Sequence, residues 1–120
     1  MKRILLGLVI VIALTTAAVA LAATTVTVSA DKTKLAFSKK ALTADDGKIT
    51  LRMSNLAVLP HNVALRNGTS AKGAAIAKGK IVGKGGISTI TVKLKAGKYR
   101  YFCSVPGHEA GGMWGILTVK

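Results

Sequence analysis

One stretch of the sequence, residues 97–120, reads GKYRYFCSVPGHEAGGMWGILTVK and decides the fold. Its first half alternates, and places Tyr99, Tyr101 and Cys103 on one side of a predicted strand. We interpret the two tyrosines mainly as core residues on that side, with electron relays as the alternative. The last residues, Trp114–Lys120, predict a further strand that closes the chain. Two strands joined by a glycine-rich loop are therefore expected here.

The loop between these strands contains three candidate metal ligands at five-residue steps, namely Cys103, His108 and Met113. A Pro106-Gly107 turn separates the first two, which gives the chain a sharp reversal. A fourth candidate, His61, lies 42 residues before the cysteine and is the only other histidine of the sequence. Two imidazoles, a thiolate and a thioether form a ligand set suited to copper that cycles between Cu(I) and Cu(II).

Each of these residues has an ordinary explanation when it is taken alone. A lone cysteine is more often a small buried hydrophobe, and a lone methionine usually fills a core. His61, next to Pro60, fits a surface turn. A cysteine with a histidine can also form a nucleophile pair, and zinc is a chemically possible ion, although structural zinc normally takes only Cys and His. The joint placement of both histidines, the only cysteine and a methionine favours copper.

The remainder of the chain predicts an all-β fold. Period-two alternation of apolar and polar residues recurs along it, and turn-forming residues separate the alternating stretches. These stretches are Thr24–Ala30, Lys34–Ser38, Gly47–Asn55, His61–Arg66 and Ile87–Lys95. Several short strands in about 100 residues predict a β-sandwich.

One segment, Ser70–Gly86, departs from this alternation. It carries four lysines spaced by glycine and alanine. Its glycines argue against a long regular helix. We therefore predict a basic, mobile excursion between two strands, with a helical turn at most around Ala74–Ala77.

The first residues, 1–22, predict an export segment. Two basic residues precede the apolar run Ile4–Leu14, and Ala20-Leu21-Ala22 fits a small-x-small cleavage pattern. The alternative is an uncleaved anchor, since the uncharged stretch is 20 residues long and can span a bilayer. We expect cleavage, which leaves a domain of residues 23–120 in the periplasm or on the extracellular face of the membrane.

The composition limits the class of function. The chain has 120 residues, and its 18 basic side chains against four acidic ones give a net charge of +14. Removal of residues 1–22 leaves 16 basic side chains against the same four acids, a charge of +12 on 98 residues. This length argues against a multidomain enzyme. Glu109 is the only acid outside residues 31–46, and the sequence suggests no role for it.

The charge also narrows the possible partners. No base-stacking aromatic residues are interleaved with the lysines, and export removes the chain from nucleic acid, so we predict no nucleic-acid partner. The positive field indicates steering toward an acidic redox partner or an anionic membrane surface.

Two motifs, Pro60-His61-Asn62-Val63 and residues 97–115, resemble the cupredoxin family of blue copper proteins, which are plastocyanin/azurin-like. The ligand-loop spacing is similar to that of auracyanin- and rusticyanin-type members. The resemblance covers the whole mature chain in strand order, and it implies a Greek-key β-sandwich. It also implies one type 1 copper ion, with His61, Cys103 and His108 as equatorial ligands and Met113 as the long axial ligand.

The resemblance implies roles for neighbouring residues as well. Asn62 resembles the family asparagine whose side chain braces the ligand loop near Ser104, and His108 resembles the partly exposed imidazole through which electrons pass. An apolar docking rim is then expected around that imidazole, formed by Leu59, Pro60, Val105, Pro106 and Ala110. The implied function is that of a monomeric one-electron carrier and not an enzyme, because four filled coordination positions leave no open site. Copper delivery or buffering is the alternative, and it uses the same residues.

Overall fold

The structure of the chain is a computed structural model that describes residues 10–16 and 24–120. Residues 10–16 have no regular secondary structure. The rest of the predicted export segment lies outside the described residues, so its cleavage or retention stays a prediction. Within the described part of the chain, no helix is long and apolar enough to cross a membrane.

Eight β-strands form two facing sheets, and residues 24–120 contain no helix. The three-stranded sheet has the order β1-β3-β6 and the five-stranded sheet the order β2-β8-β7-β4-β5. Both sheets are mixed, because β1 runs parallel to β3 and β2 runs parallel to β8. The strands are β1 (Thr24–Ala30), β2 (Ala41–Ala44), β3 (Gly47–Asn55), β4 (Ala64–Asn67), β5 (Ala77–Lys78), β6 (Ile87–Leu94), β7 (Gly97–Phe102) and β8 (Trp114–Val119). The predicted all-β Greek-key sandwich is confirmed.

Alternation along the strands explains how the two sheets share one core. In β3, Ile49, Leu51 and Met53 are at most 1% exposed, while the residues between them face outward. They pack in one cluster with side chains of the five-stranded sheet, including Tyr101. The ring of Tyr101 fills the space beside Gly115, its register partner on β8, where any larger residue would collide with it. The prediction that the tyrosines of β7 are core residues is confirmed.

Two of the predicted strands differ from the structure. Lys34–Ser38 is not a strand, and only Phe37 forms an isolated bridge, with Ala30. Asp31 explains the difference, because its Oδ1 atom accepts the N–H groups of Thr33 and Lys34, both at 2.9 Å, and turns the chain.

The strand predicted over His61–Arg66 begins only at Ala64. His61 instead forms an isolated bridge with Val82, with backbone bonds of 3.1 and 2.9 Å in the two directions. The histidine is therefore held at the edge of the sheet by a segment that the sequence did not link to it.

That segment, Ser70–Gly86, is more regular than expected. It contains no helical turn, and β5 pairs antiparallel with β4. The N–H of Gly79 donates to the carbonyl of Val63 at 2.8 Å, which extends the attachment toward the bridge at Val82. This half of the excursion between the two strands is therefore attached to the five-stranded sheet, and its predicted mobility stays a prediction.

Candidate metal centre

The four predicted ligands belong to one end of the sandwich. His61 lies in the bridge that precedes β4, Cys103 follows the last residue of β7, and Met113 precedes the first residue of β8. His108 lies in the loop between those two strands. We call residues 103–113 the ligand loop.

The donor atoms of His61, Cys103 and His108 converge on a common centre. The two Nδ1 atoms are 3.0 Å apart, and the Sγ atom lies 3.8 Å from Nδ1 of His61 and 3.6 Å from Nδ1 of His108. All three donor atoms lie within 4.8 Å of one another. In the described ranges, no other group of three His, Cys, Asp or Glu side chains converges in this way. Imidazole nitrogen together with cysteine sulfur is a donor set that fits copper.

Met113 completes the arrangement through its backbone and its burial. Its N–H donates to the carbonyl of His108 at 3.0 Å, and its carbonyl accepts the N–H of Cys103 at 3.1 Å. The two turns of the loop depend on Gly107 (φ 83°) and Gly112 (φ 117°), in a region of backbone space that favours glycine. The methionine side chain, 0% exposed, is thereby returned to the interior, in the same core cluster as Cys103.

Burial sets the protonation of the metal-free site. His61 is 1% exposed, and desolvation, followed by the nearby His108, lowers the pKa of its imidazole. The lowered pKa favours the neutral ring, which is the form of imidazole that binds a metal ion. Burial raises the pKa of the Cys103 thiol, so the proton stays on the sulfur until a cation displaces it.

Asn62 joins the two segments that carry the predicted ligands. Its Nδ2 atom donates to Ser104 Oγ at 2.8 Å and to the carbonyl of Gly79 at 3.0 Å. Its Oδ1 atom accepts the N–H of Ser104 at 2.8 Å. The predicted brace between the upstream histidine and the ligand loop is confirmed.

Sequence comparison agrees with this geometry. Residues 24–120 match the family described as copper binding proteins, plastocyanin/azurin family. The chain belongs to the plastocyanin/azurin family. Copper is accordingly the cofactor of this cupredoxin, as the donor set of the cluster indicates.

Solved structures of other cupredoxins are similar over almost their whole length. The sodium-dithionite-reduced auracyanin of the photosynthetic bacterium Roseiflexus castenholzii is 31% identical, with a TM-score of 0.73 over 82% of this chain and 98% of that one. Auracyanin A, a "blue" copper protein of Chloroflexus aurantiacus, is 27% identical, with a TM-score of 0.71 over 82% of this chain and 100% of that one.

A curated relative matches over a shorter segment. Rusticyanin of Acidithiobacillus ferrooxidans is 50% identical over 38 residues, which are 32% of this chain. The match spans only 24% of the length of rusticyanin. The predicted similarity to auracyanin- and rusticyanin-type cupredoxins is confirmed.

A charged cluster on the outer face of the five-stranded sheet was not predicted. Glu109 Oε2 accepts hydrogen bonds from Arg66 Nη1 at 2.8 Å and from Arg100 Nε at 2.7 Å. Each guanidinium carbon lies 3.9 Å from the centre of an aromatic ring, Arg66 over Phe102 and Arg100 over Trp114. The only feature of the sequence that pointed to this cluster was the isolated acid Glu109. The register of β4 against β7 brings the two arginines together, and such a register cannot be predicted from the sequence.

The surface near the upstream ligand is apolar. Leu59 is 55% exposed, as the predicted docking rim requires, and Leu56 and Val58 in the same loop are 43% and 79% exposed. Pro106 and Ala110 of the ligand loop are also exposed, whereas Val105 is half-buried. The upstream loop therefore contributes more apolar surface than the sequence suggested.

Proposed function

We propose that the protein is an extracytoplasmic blue copper protein that carries single electrons between redox partners. One copper ion, cycling between Cu(I) and Cu(II), is bound by His61, Cys103, His108 and Met113. The observation that carries the proposal is the convergence of two imidazole nitrogens and one sulfur within 4.8 Å, with a buried methionine in the same core cluster as the cysteine.

The residues around the site favour electron transfer over chemistry on a substrate. Copper, when bound, supplies the one-electron couple. His61, Cys103 and Met113 are at most 1% exposed and keep water from the centre. The hydrogen bonds of Asn62 and of the Met113 backbone fix the donors in one arrangement. A fixed arrangement limits the rearrangement that accompanies a change of oxidation state.

The partly exposed His108 is the proposed route for electrons, and the surface near His61 suggests the partner. The exposed side chains of Leu56, Val58 and Leu59 form an apolar patch. Lysines line the grooves next to this patch, namely Lys32, Lys34 and Lys84. An apolar patch with a basic border fits a redox partner whose docking surface is acidic, because opposite charges steer the encounter.

The test is to load the purified protein with Cu(II). We expect an intense blue absorption from thiolate-to-copper charge transfer, which bleaches on reduction and returns on oxidation. Cys103→Ser removes the thiolate and should abolish the colour. Met53→Leu is the control, since it changes a buried sulfur-containing side chain of β3 outside the donor cluster and conserves volume.

Three results contradict the proposal. A colourless copper protein or a strict preference for zinc means that the site is not of the blue copper type. Rapid copper transfer to an apo-acceptor, combined with slow electron exchange with a cytochrome, identifies copper delivery instead.

A further inference from the structure

Three residues of the charged cluster on the outer face of the five-stranded sheet are each next in sequence to a proposed copper ligand. In each case one residue of the pair lies in the cluster and the other is a proposed ligand. The pairs are Phe102–Cys103, His108–Glu109 and Met113–Trp114. Phe102 and Trp114 are also register partners across β7 and β8. A shift of these cluster residues would therefore also move the ligand residues next to them.

The two arginines of the cluster need a counter-charge. Arg66 and Arg100 are register partners on β4 and β7, and each side chain is only 10% exposed. Like charges directly opposite each other on neighbouring strands are destabilising, more so away from water. Glu109, whose side chain is 18% exposed, supplies the negative charge by folding the ligand loop back over the sheet.

The guanidinium groups are also fixed on their other side. Nε of Arg66 donates to the carbonyl of Gly73 at 2.7 Å, and Nη1 of Arg100 donates to the carbonyl of Thr69 at 3.1 Å. With an aromatic ring under each group, both arginines are held by at least three neighbours. They form a rigid support against which the loop carboxylate is bound.

We propose that Arg66, Glu109 and Arg100 form a clamp that holds the ligand loop in its metal-binding conformation and places a net positive charge beside the copper. The copper part of this inference rests on the function proposed above. Two guanidinium groups and one carboxylate leave a formal charge of +1. A positive charge close to the metal favours Cu(I) over the more highly charged Cu(II). The three side chains are positioning residues and do not touch the metal.

The first test measures hydrogen exchange in the metal-free protein. The reporters are the N–H groups of His108, Gly111 and Gly112, all of which donate within the ligand loop at 3.0 Å. We expect Glu109→Gln and Arg100→Gln each to speed their exchange about tenfold or more, because both changes release the loop. If Arg100→Gln does not fold, Arg66→Gln takes its place.

The second test measures the copper reduction potential of the same variants. Glu109→Gln removes the negative charge of the cluster and so makes its net charge more positive. The reduction potential of the copper in this variant should therefore rise. Arg100→Gln removes one positive charge, so its potential should fall. Loosening of the ligand loop alone would move both potentials in the same direction. Opposite shifts in the two variants therefore identify an effect of charge on the copper. Lys93→Gln, an exposed charge on the three-stranded sheet, is the matched control and should leave exchange and potential unchanged.

The outcomes are distinct from those of the proposed function. If exchange of the loop amides is unchanged in both variants, or if the two potentials move together, the clamp is refuted. If the wild-type protein fails to become blue with copper, the proposed function is refuted instead, while the exchange test on the metal-free protein still decides whether the clamp holds the loop.

Discussion

The two segments that carry the proposed ligands are held by different kinds of bonds. Upstream, residues 55–63 depend on the neutral amides of Asn55 and Asn62, both 0% exposed; Nδ2 of Asn55 donates to two backbone carbonyls at 2.9 Å. Downstream, Asn62 also reaches Ser104 at the start of the ligand loop, whereas the middle of the loop is bound through the carboxylate of Glu109 between two guanidinium groups. The kind of bond differs because the burial differs. A dry interior tolerates neutral hydrogen-bonded groups, whereas charged groups need a partner and some contact with water.

The largest expected effect on stability comes from removing the buried amide of Asn62. Asn62→Ala leaves the N–H of Ser104 and the carbonyl of Gly79 without their partner in the interior. We expect the free energy of unfolding of the metal-free protein to fall by about 2–4 kcal/mol, by the same amount at low and high salt. Chemical denaturation measures this, with Asn67→Ala at the exposed end of β4 as the control. A loss below about 1 kcal/mol would show that the amide is not a major support.

The second prediction concerns the downstream side. Glu109→Gln keeps the shape of the side chain but removes the charge between Arg66 and Arg100. We expect a loss of about 1–2 kcal/mol at low ionic strength, which shrinks as salt is added because the groups are partly exposed to screening. The same denaturation series measures it. A loss that does not vary with salt would contradict the proposed contrast between the two segments.

The third prediction concerns Met113. Its side chain lies in the ligand loop and is as fully buried as that of His61. Met113→Gln replaces a soft thioether by a harder oxygen donor, which favours Cu(II). The protein should keep its copper, and its reduction potential should fall by on the order of 59 mV, a tenfold change in the Cu(I)/Cu(II) ratio. Voltammetry of the variant beside Met53→Leu checks this. An unchanged potential would mean that Met113 is not the axial ligand.

The smallest expected effect is on the rate of encounter with a partner. Lys32, Lys34 and Lys84 border the apolar patch of the upstream segment. Electron transfer with an acidic cytochrome should therefore slow a few-fold as ionic strength rises to physiological values. Stopped-flow mixing measures this rate, and a small neutral reductant provides the control. A rate that rises with salt would exclude an acidic partner.

Much of the fold could be predicted because its long strands repeat a simple pattern. In β3, the inward residues Ile49, Leu51 and Met53 alternate with polar ones, and such a pattern specifies both the strand and its buried face. The donor set was readable for a different reason, namely that soft and borderline ligands are rare in this sequence and that three of the four are spaced along a single loop.

The parts that were missed depend on contacts between distant segments. β2 has only four residues, Ala41–Ala44, too few for alternation to be recognised, and it exists because it pairs parallel with β8. The attachment of Val82 to His61 and the pairing of Arg66 with Arg100 likewise follow from register, which period-two patterns do not encode over long separations. Glu109 could be recognised as unusual but not assigned a partner.

The position of β8 has a consequence for the order in which the protein can assemble. This strand lies between β2 and β7, so the two parts of the five-stranded sheet cannot join until residues 114–119 are available for pairing. Pairing of β2 with β8 closes a loop of about 70 residues, which makes this a slow, non-local step. The ligand loop ends where β8 begins. We therefore expect the proposed ligands to take up their final arrangement only once β8 has paired with its neighbours.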